Sequence, residues 1–80
     1  MEKLKTYLAA MPSLERQHFA ARCGTTHAFL RNIVYGQRVA GEKLCVAIER
    51  ESRGAVTRRD LRPTDWREIW PELNAQPEAA

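Results

Sequence analysis

Gly24 constrains this chain more than any other residue. It stands alone between two short segments with helical apolar periodicity, LERQHFAARC before it and THAFLRNIVY after it. A residue that accepts positive φ without strain lets one helix stop and the next leave steeply within a few residues. Two helices joined so tightly cross at roughly 90–120°, the arrangement of a helix-turn-helix. Ala20, four residues before the glycine, is small where crossing helices approach most closely. Phe19 and Cys23 supply apolar positions on the first of the two helices, and Leu30 and Ile33 supply them on the second.

The flanking sequence supplies a core for this pair. Leu4, Tyr7, Leu8 and Met11 fall at i, i+3, i+4 and i+7, so an amphipathic helix is predicted there, ended by Pro12. Ser13 is predicted to cap the next helix, whose apolar positions are Leu14, Phe19, Ala20 and Cys23. Thr25 or Thr26 can cap the helix after Gly24, and Gly36 closes it. A further helix is predicted from about Gly41 to Ser52, with Leu44, Cys45, Ala47 and Ile48 inward and Gly54 ending it. Thr57 and Asp60 stand in capping-box relation, with Val56 and Leu61 at the flanking staple positions. Pro63 breaks that turn, Thr64 offers another cap, and Trp66, Ile69, Trp70 and Leu73 form a last apolar stripe.

No run alternates with the period of a strand, so the fold class is all-α, a compact bundle of about five helices. Eighty residues make one domain, expected over 1–73 with the helix-turn-helix at about 14–36 and a flexible tail at 74–80. A chain that is 44% hydrophobic has the apolar content to fold as a globule.

Charge points to a partner. The net charge is +3, but five basic residues and one acid lie between Arg16 and Lys43, a local excess of +4. The rest of the chain is slightly acidic, so all the positive excess falls across the predicted helix-turn-helix, as a footprint for phosphate would. With Leu30 and Ile33 facing in, the opposite face of the second helix presents Thr26, His27, Arg31 and Asn32, with Ala28 and Tyr35 at its margins. These four are the candidate base contacts in a major groove. Arg31 can pair with both acceptors of a guanine edge, and Asn32 can serve adenine in the same bidentate way. Thr26 and His27 start the helix, where free amides also attract phosphate. Arg16, Tyr35, Gln37, Arg38 and Lys43 are candidate phosphate contacts, which add affinity and salt dependence but no sequence information.

Other chemistry has weaker support. Cys23 and His27 are four apart, but Gly24 interrupts the helix between them and no second ligand pair completes a tetrahedral site, so no metal is expected. Cys23 and Cys45 are read as small core side chains, too few for a disulfide scaffold. His18 has no nucleophile or orienting acid at a productive spacing, and no phosphate-binding glycine loop is present. Neither an enzyme nor a cofactor is expected. No apolar stretch is long enough to span a membrane, and a cytoplasmic location is expected. Arg58, Arg59 and Arg62 are diluted by Asp60 and Asp65 and are expected to form a solvated face. Trp66 and Trp70 are expected to close the core, with self-association as the other use.

The stretch from Arg16 to Gly36 resembles the helix-turn-helix of Cro-type phage repressors. The stretch AIERESRGAVTRRDLRPTDWREIWPEL, from Ala47 to Leu73, is similar to the C-terminal half of YdaS-like prophage regulators, also called YdaS antitoxins. Thr25 departs from the usual aliphatic turn residue, and Phe29 and Val34 make the recognition helix more apolar than is typical. The resemblance implies a lambda-repressor-like domain of a prophage or similar element, a transcriptional regulator of the nucleoid that represses by covering operator DNA. A single small module has limited contact area, so a homodimer or higher oligomer on DNA is expected. The family name also raises a second reading, an antitoxin that neutralises a toxin partner, docked on the Trp66/Trp70 stripe and the tail.

Overall fold

Leu4 and Leu8 are buried, and they fix the face on which the first helix, α1 (Glu2–Ala9), lies against the rest of the chain. The helices that follow in this computed structural model are α2 (Ser13–Arg22), α3 (His27–Val34), α4 (Glu42–Glu51), α5 (Arg58–Leu61) and α6 (Trp66–Ile69). A 3-10 turn, Pro71–Ala75, completes the set. The structure describes the backbone of residues 1–75 and the side chains of residues 1–73, and no strand occurs among them. The predicted all-α class holds, with six short helices where about five were expected. Asn74 and Ala75 continue the final turn, so that part of the predicted tail has regular backbone; residues 76–80 lie outside the described residues.

One core serves all the helices. Phe19, Leu4, Leu30, Ile48, Val56 and Cys45 are its largest fully buried side chains, one or more from each of α1 to α4 and the link to α5. Tyr7 packs on Phe19 with ring centroids 5.3 Å apart at a 58° tilt, joining α1 to α2. Burial pushes both Cys23 and Cys45 up to about 11, so each stays a protonated thiol at neutral pH and packs as a small apolar group.

Three local expectations are corrected. Ser13 is the first helical residue and makes no cap bond; Pro12, with extended backbone, takes the cap position. Leu14 is 63% exposed, because it precedes Phe19 by five residues, roughly 140° round a helix, and cannot share the face of Phe19, Ala20 and Cys23. Thr64 does not cap α6, whose first flanking residue is Asp65. The capping box of α5 is present as predicted: the Thr57 amide donates to Asp60 Oδ2 at 2.9 Å, and the Asp60 amide donates to Thr57 Oγ1 at 3.2 Å.

The three arginines of the C-terminal third are not a solvated face. Arg58 donates to Glu49 through its amide (2.7 Å) and its guanidinium (3.2 and 3.3 Å), and its guanidinium carbon lies 5.4 Å from the Trp70 ring centroid. Arg59 donates to the Leu73 carbonyl at 2.8 Å and stacks on Trp66 at 4.4 Å. Arg62 forms a two-pronged pair with Asp65 (3.0 and 2.6 Å) and donates to the Ala40 carbonyl at 2.8 Å. Asp65, one of the two acids expected to dilute this cluster, instead holds it in place together with Glu49, carbonyls and rings, while Asp60 caps α5 and pairs with Lys3. Trp70 and Leu73 are buried while Trp66 and Ile69 are half-buried against the core, so the predicted stripe is spent on closing the bundle.

Candidate nucleic-acid interface

The turn between α2 and α3 is built as its glycine requires. Gly24 has φ +80°, the Thr25 amide donates to the Ala20 carbonyl at 2.9 Å, and the Gly24 amide donates to the Ala21 carbonyl at 3.0 Å. This pair of bonds is a Schellman exit, which needs a left-handed residue at the glycine position. Thr26 then caps α3, its Oγ1 accepting from the Phe29 amide at 3.1 Å, and its side chain remains exposed. The far end repeats the device: Gly36 has φ +76°, and the Gln37 and Gly36 amides return to Asn32 and Ile33.

Leu30, Ile33 and Val34 are the buried residues of α3. Val34 was not part of the inward set read from the sequence, and its burial turns the helix about its axis. Ala28 and Tyr35, placed at the margins by the sequence pattern, therefore sit near the middle of the open face, with exposed Arg31 beside them. His27 and Asn32 are half-buried on the two sides of that face. All four candidate base contacts, Thr26, His27, Arg31 and Asn32, thus lie outside the core. Ala28 joins them as a small exposed methyl, a surface that can lie against a thymine methyl.

The candidate phosphate contacts divide. Arg16 and Tyr35 line one cavity together with His27 and Arg31, and Lys5 of α1 completes its polar wall. Leu8, Ala9 and Val34 form the apolar part of its lining. Gln37 and Arg38 follow α3 in an exposed loop, both amides donating to the Asn32 carbonyl at 2.8 and 3.3 Å. Lys43 is in the first turn of α4 and lines a different groove, with Glu42, Val46, Arg50 and Trp70 among its neighbours. No sequence pattern singles out Lys5, whose spacing marks only the outer face of α1; which helix that face meets is a tertiary fact.

Unpaired cations gather in this region, although Arg53 and Arg67 elsewhere also lack an ion pair among the described residues. Arg16, Arg31, Arg38 and Lys43 form no ion pair among the described residues, whereas Lys3, Arg22, Arg50, Arg58 and Arg62 all do. Burial, and then the positive charges of Arg16 and Arg31, hold the His27 imidazole below its ordinary pKa. At neutral pH it is therefore an uncharged ring with one donor and one acceptor nitrogen.

No protein-family model matches the chain. Over 69 residues, 86% of its length, it is 29% identical to an Escherichia coli (strain K12) protein named prophage transcriptional regulatory protein, and the match takes in 98% of that relative.

Proposed function

We propose that the chain is a DNA-binding transcriptional regulator of the prophage type, which sets α3 in the major groove and represses by covering operator DNA. The observation that carries this proposal is the open face of α3, exposed at Thr26, Arg31 and Tyr35 and flanked by cations that no carboxylate among the described residues neutralises. The relative's printed role supports the same assignment, and it belongs to a non-catalytic class. Thr26, His27, Arg31 and Asn32 read base edges; Arg16, Tyr35, Gln37, Arg38 and Lys43 hold backbone phosphates. Residues 1–73 act as one DNA-binding domain. The YdaS-like resemblance of Ala47 to Leu73 and the Cro-like resemblance of Arg16 to Gly36 support reading it as a short prophage repressor, two copies of which would share a two-fold operator.

Selection of bound sequences from random duplexes tests the proposal. A recovered consensus, with two inverted half-sites for a dimer, is the expected result; recovery of random sequence overturns the assignment of α3 as a reading helix. The alternative of a toxin-neutralising module gains nothing from the fold, since Trp70 lies in the core and Trp66 beneath the guanidinium groups of Arg59 and Arg67.

A further inference from the structure

The cavity between α1, α2 and α3 is lined by a cation from each of the three helices. Its volume is about 210 Å³, far above the ~10–15 Å³ that one water needs, and three certain cations plus His27 line it. Arg16 is one of these lining residues, and its Nε is buried and donates to nothing among the described residues, although Arg16 lies beside a carboxylate in sequence, Glu15. A buried guanidinium N–H without an acceptor costs free energy unless a ligand supplies one. No acid lines the cavity among the described residues, which leaves its cations open to an acceptor from outside.

We propose that this cavity is a seat for a single phosphate-like oxyanion, held by Arg16 and Lys5, with His27 and Arg31 completing its positive lining on the side of the reading face. Guanidinium, ammonium and imidazolium donors on three different helices surround the anion, so binding it ties α1 to the helix-turn-helix as well as neutralising charge. The phosphate has two possible sources, a backbone phosphate of bound DNA or a free phosphorylated small molecule. The seat itself does not depend on α3 reading DNA; only the first source rests on that proposal. His27 acts as a reporter. Arg16, Arg31 and Lys5 are the charged groups that face it from the packed elements, with Tyr35 as the remaining titratable group of the lining. An anion placed among them favours the protonated ring, so binding takes up a proton and strengthens as pH falls towards 6.

Sulfate is the test anion, because its charge is constant over this range. The His27 ring is followed by NMR against pH with sulfate or with chloride at equal ionic strength, His18 on the exposed side of α2 serving as reference. The expected result is a rise of about half a unit or more in the His27 midpoint with sulfate only, and none for His18. Arg16→Gln should weaken sulfate binding about tenfold, the loss of one charge-assisted contact, and Lys5→Gln, at an exposed position of α1, several-fold. Equal His27 midpoints in sulfate and chloride overturn the proposal, as does unchanged sulfate affinity in both variants. Adding a short duplex identifies the source: signals of the seat that move with DNA and are competed by sulfate assign it to the backbone. Sulfate binding with seat signals untouched by DNA supports the seat and assigns it to a free phosphorylated ligand, while leaving the duplex selection to judge the regulatory proposal separately.

Discussion

Arginine is used in opposite ways at the two ends of this molecule. In the C-terminal third, Arg58, Arg59 and Arg62 each meet a carboxylate, a carbonyl or an indole ring, and they knit three short turns that could not hold together alone. Around α3, Arg16, Arg31 and Arg38 meet no acid among the described residues, and positive charge accumulates next to an open helix face. The same side chain is mortar in one region and a cation without an acidic partner among the described residues in the other. What separates them is the partner within reach, and a local count of charge along the chain does not reveal it.

The largest expected effect lies on the mortar side. Trp70→Ala removes a ring that is 8% exposed and should cost about 3–5 kcal/mol, seen as loss of most cooperative unfolding in denaturant. A marginal domain of this size would barely remain folded. If Trp70→Ala unfolded at an unchanged midpoint, the C-terminal turns would be an appendage and the contrast between regions would fail. Next comes a matched pair. Arg58→Ala should cost about 1–3 kcal/mol of stability by stranding Glu49 and baring Trp70. Arg31→Ala, exposed and unpaired, should change stability by less than about 0.5 kcal/mol yet lose about 1–3 kcal/mol of discrimination between operator and random DNA. Equal stability losses in the two variants would erase the distinction.

Arg38→Ala sharpens the division within the interface itself. It should weaken operator and random duplexes alike and lower the slope of log affinity against log salt by about one, as expected for a lost phosphate contact. A selective loss on the operator would move Arg38 to the base-reading set.

The contrast also explains which parts of the molecule were legible in its sequence. Gly24, Gly36 and the Thr57/Asp60 box act through bonds that span five residues or fewer, so type and spacing alone disclose them. Leu14 misled because apolar character was read without its angular position, and it faces solvent. Val34 went unassigned to the core because Leu30 and Ile33 already made an acceptable stripe; only the seat of α1 against α3 buries it. Lys5 and Arg16 are eleven residues apart and Lys5 and Arg31 twenty-six, so their shared cavity arises from tertiary packing that no local pattern carries. The arginines from Arg58 to Arg62 were misread for the same reason, since Glu49, Ala40 and Leu73 lie nine to twenty-two residues away.

A smaller effect tests whether the mortar is electrostatic. Burial alone would raise the Asp60 pKa, but the Thr57 amide and hydroxyl, and Lys3, together hold it below its ordinary 3.8. Its folded pKa is depressed, so its contribution is complete at neutral pH and is lost as pH falls from about 4 through the folded value. Asp60→Ala should cost about 1 kcal/mol at pH 7 and flatten the fall of stability in acid. His27 has the opposite location and a related sign: its depressed pKa makes the fold bind fewer protons than the unfolded chain, so stability also declines as pH drops below 6.5. The decline in that higher window should vanish in His27→Gln and persist in Asp60→Ala, which separates the two regions by pH alone.

The smallest expected effect sits at the junction between them. Arg53 ends α4 with φ +54°, the left-handed position of a Schellman exit in which the Gly54 amide returns to Glu49 at 2.9 Å and the Arg53 amide to Arg50 at 3.1 Å. The sequence placed the stop at Gly54, one residue late, because a glycine stood there and an arginine was not expected to turn left-handed. That conformation costs a non-glycine residue about 1 kcal/mol, and glycine gives back part of the gain through the unfolded chain. Arg53→Gly should therefore raise stability by about 0.5 kcal/mol in denaturant unfolding, with DNA affinity changed only by the loss of one distant charge. Its side chain is exposed and forms no ion pair among the described residues, so nothing offsets the relief. A loss of stability instead would mean that Arg53 holds a partner in solution, and it would then belong with the mortar of the C-terminal third.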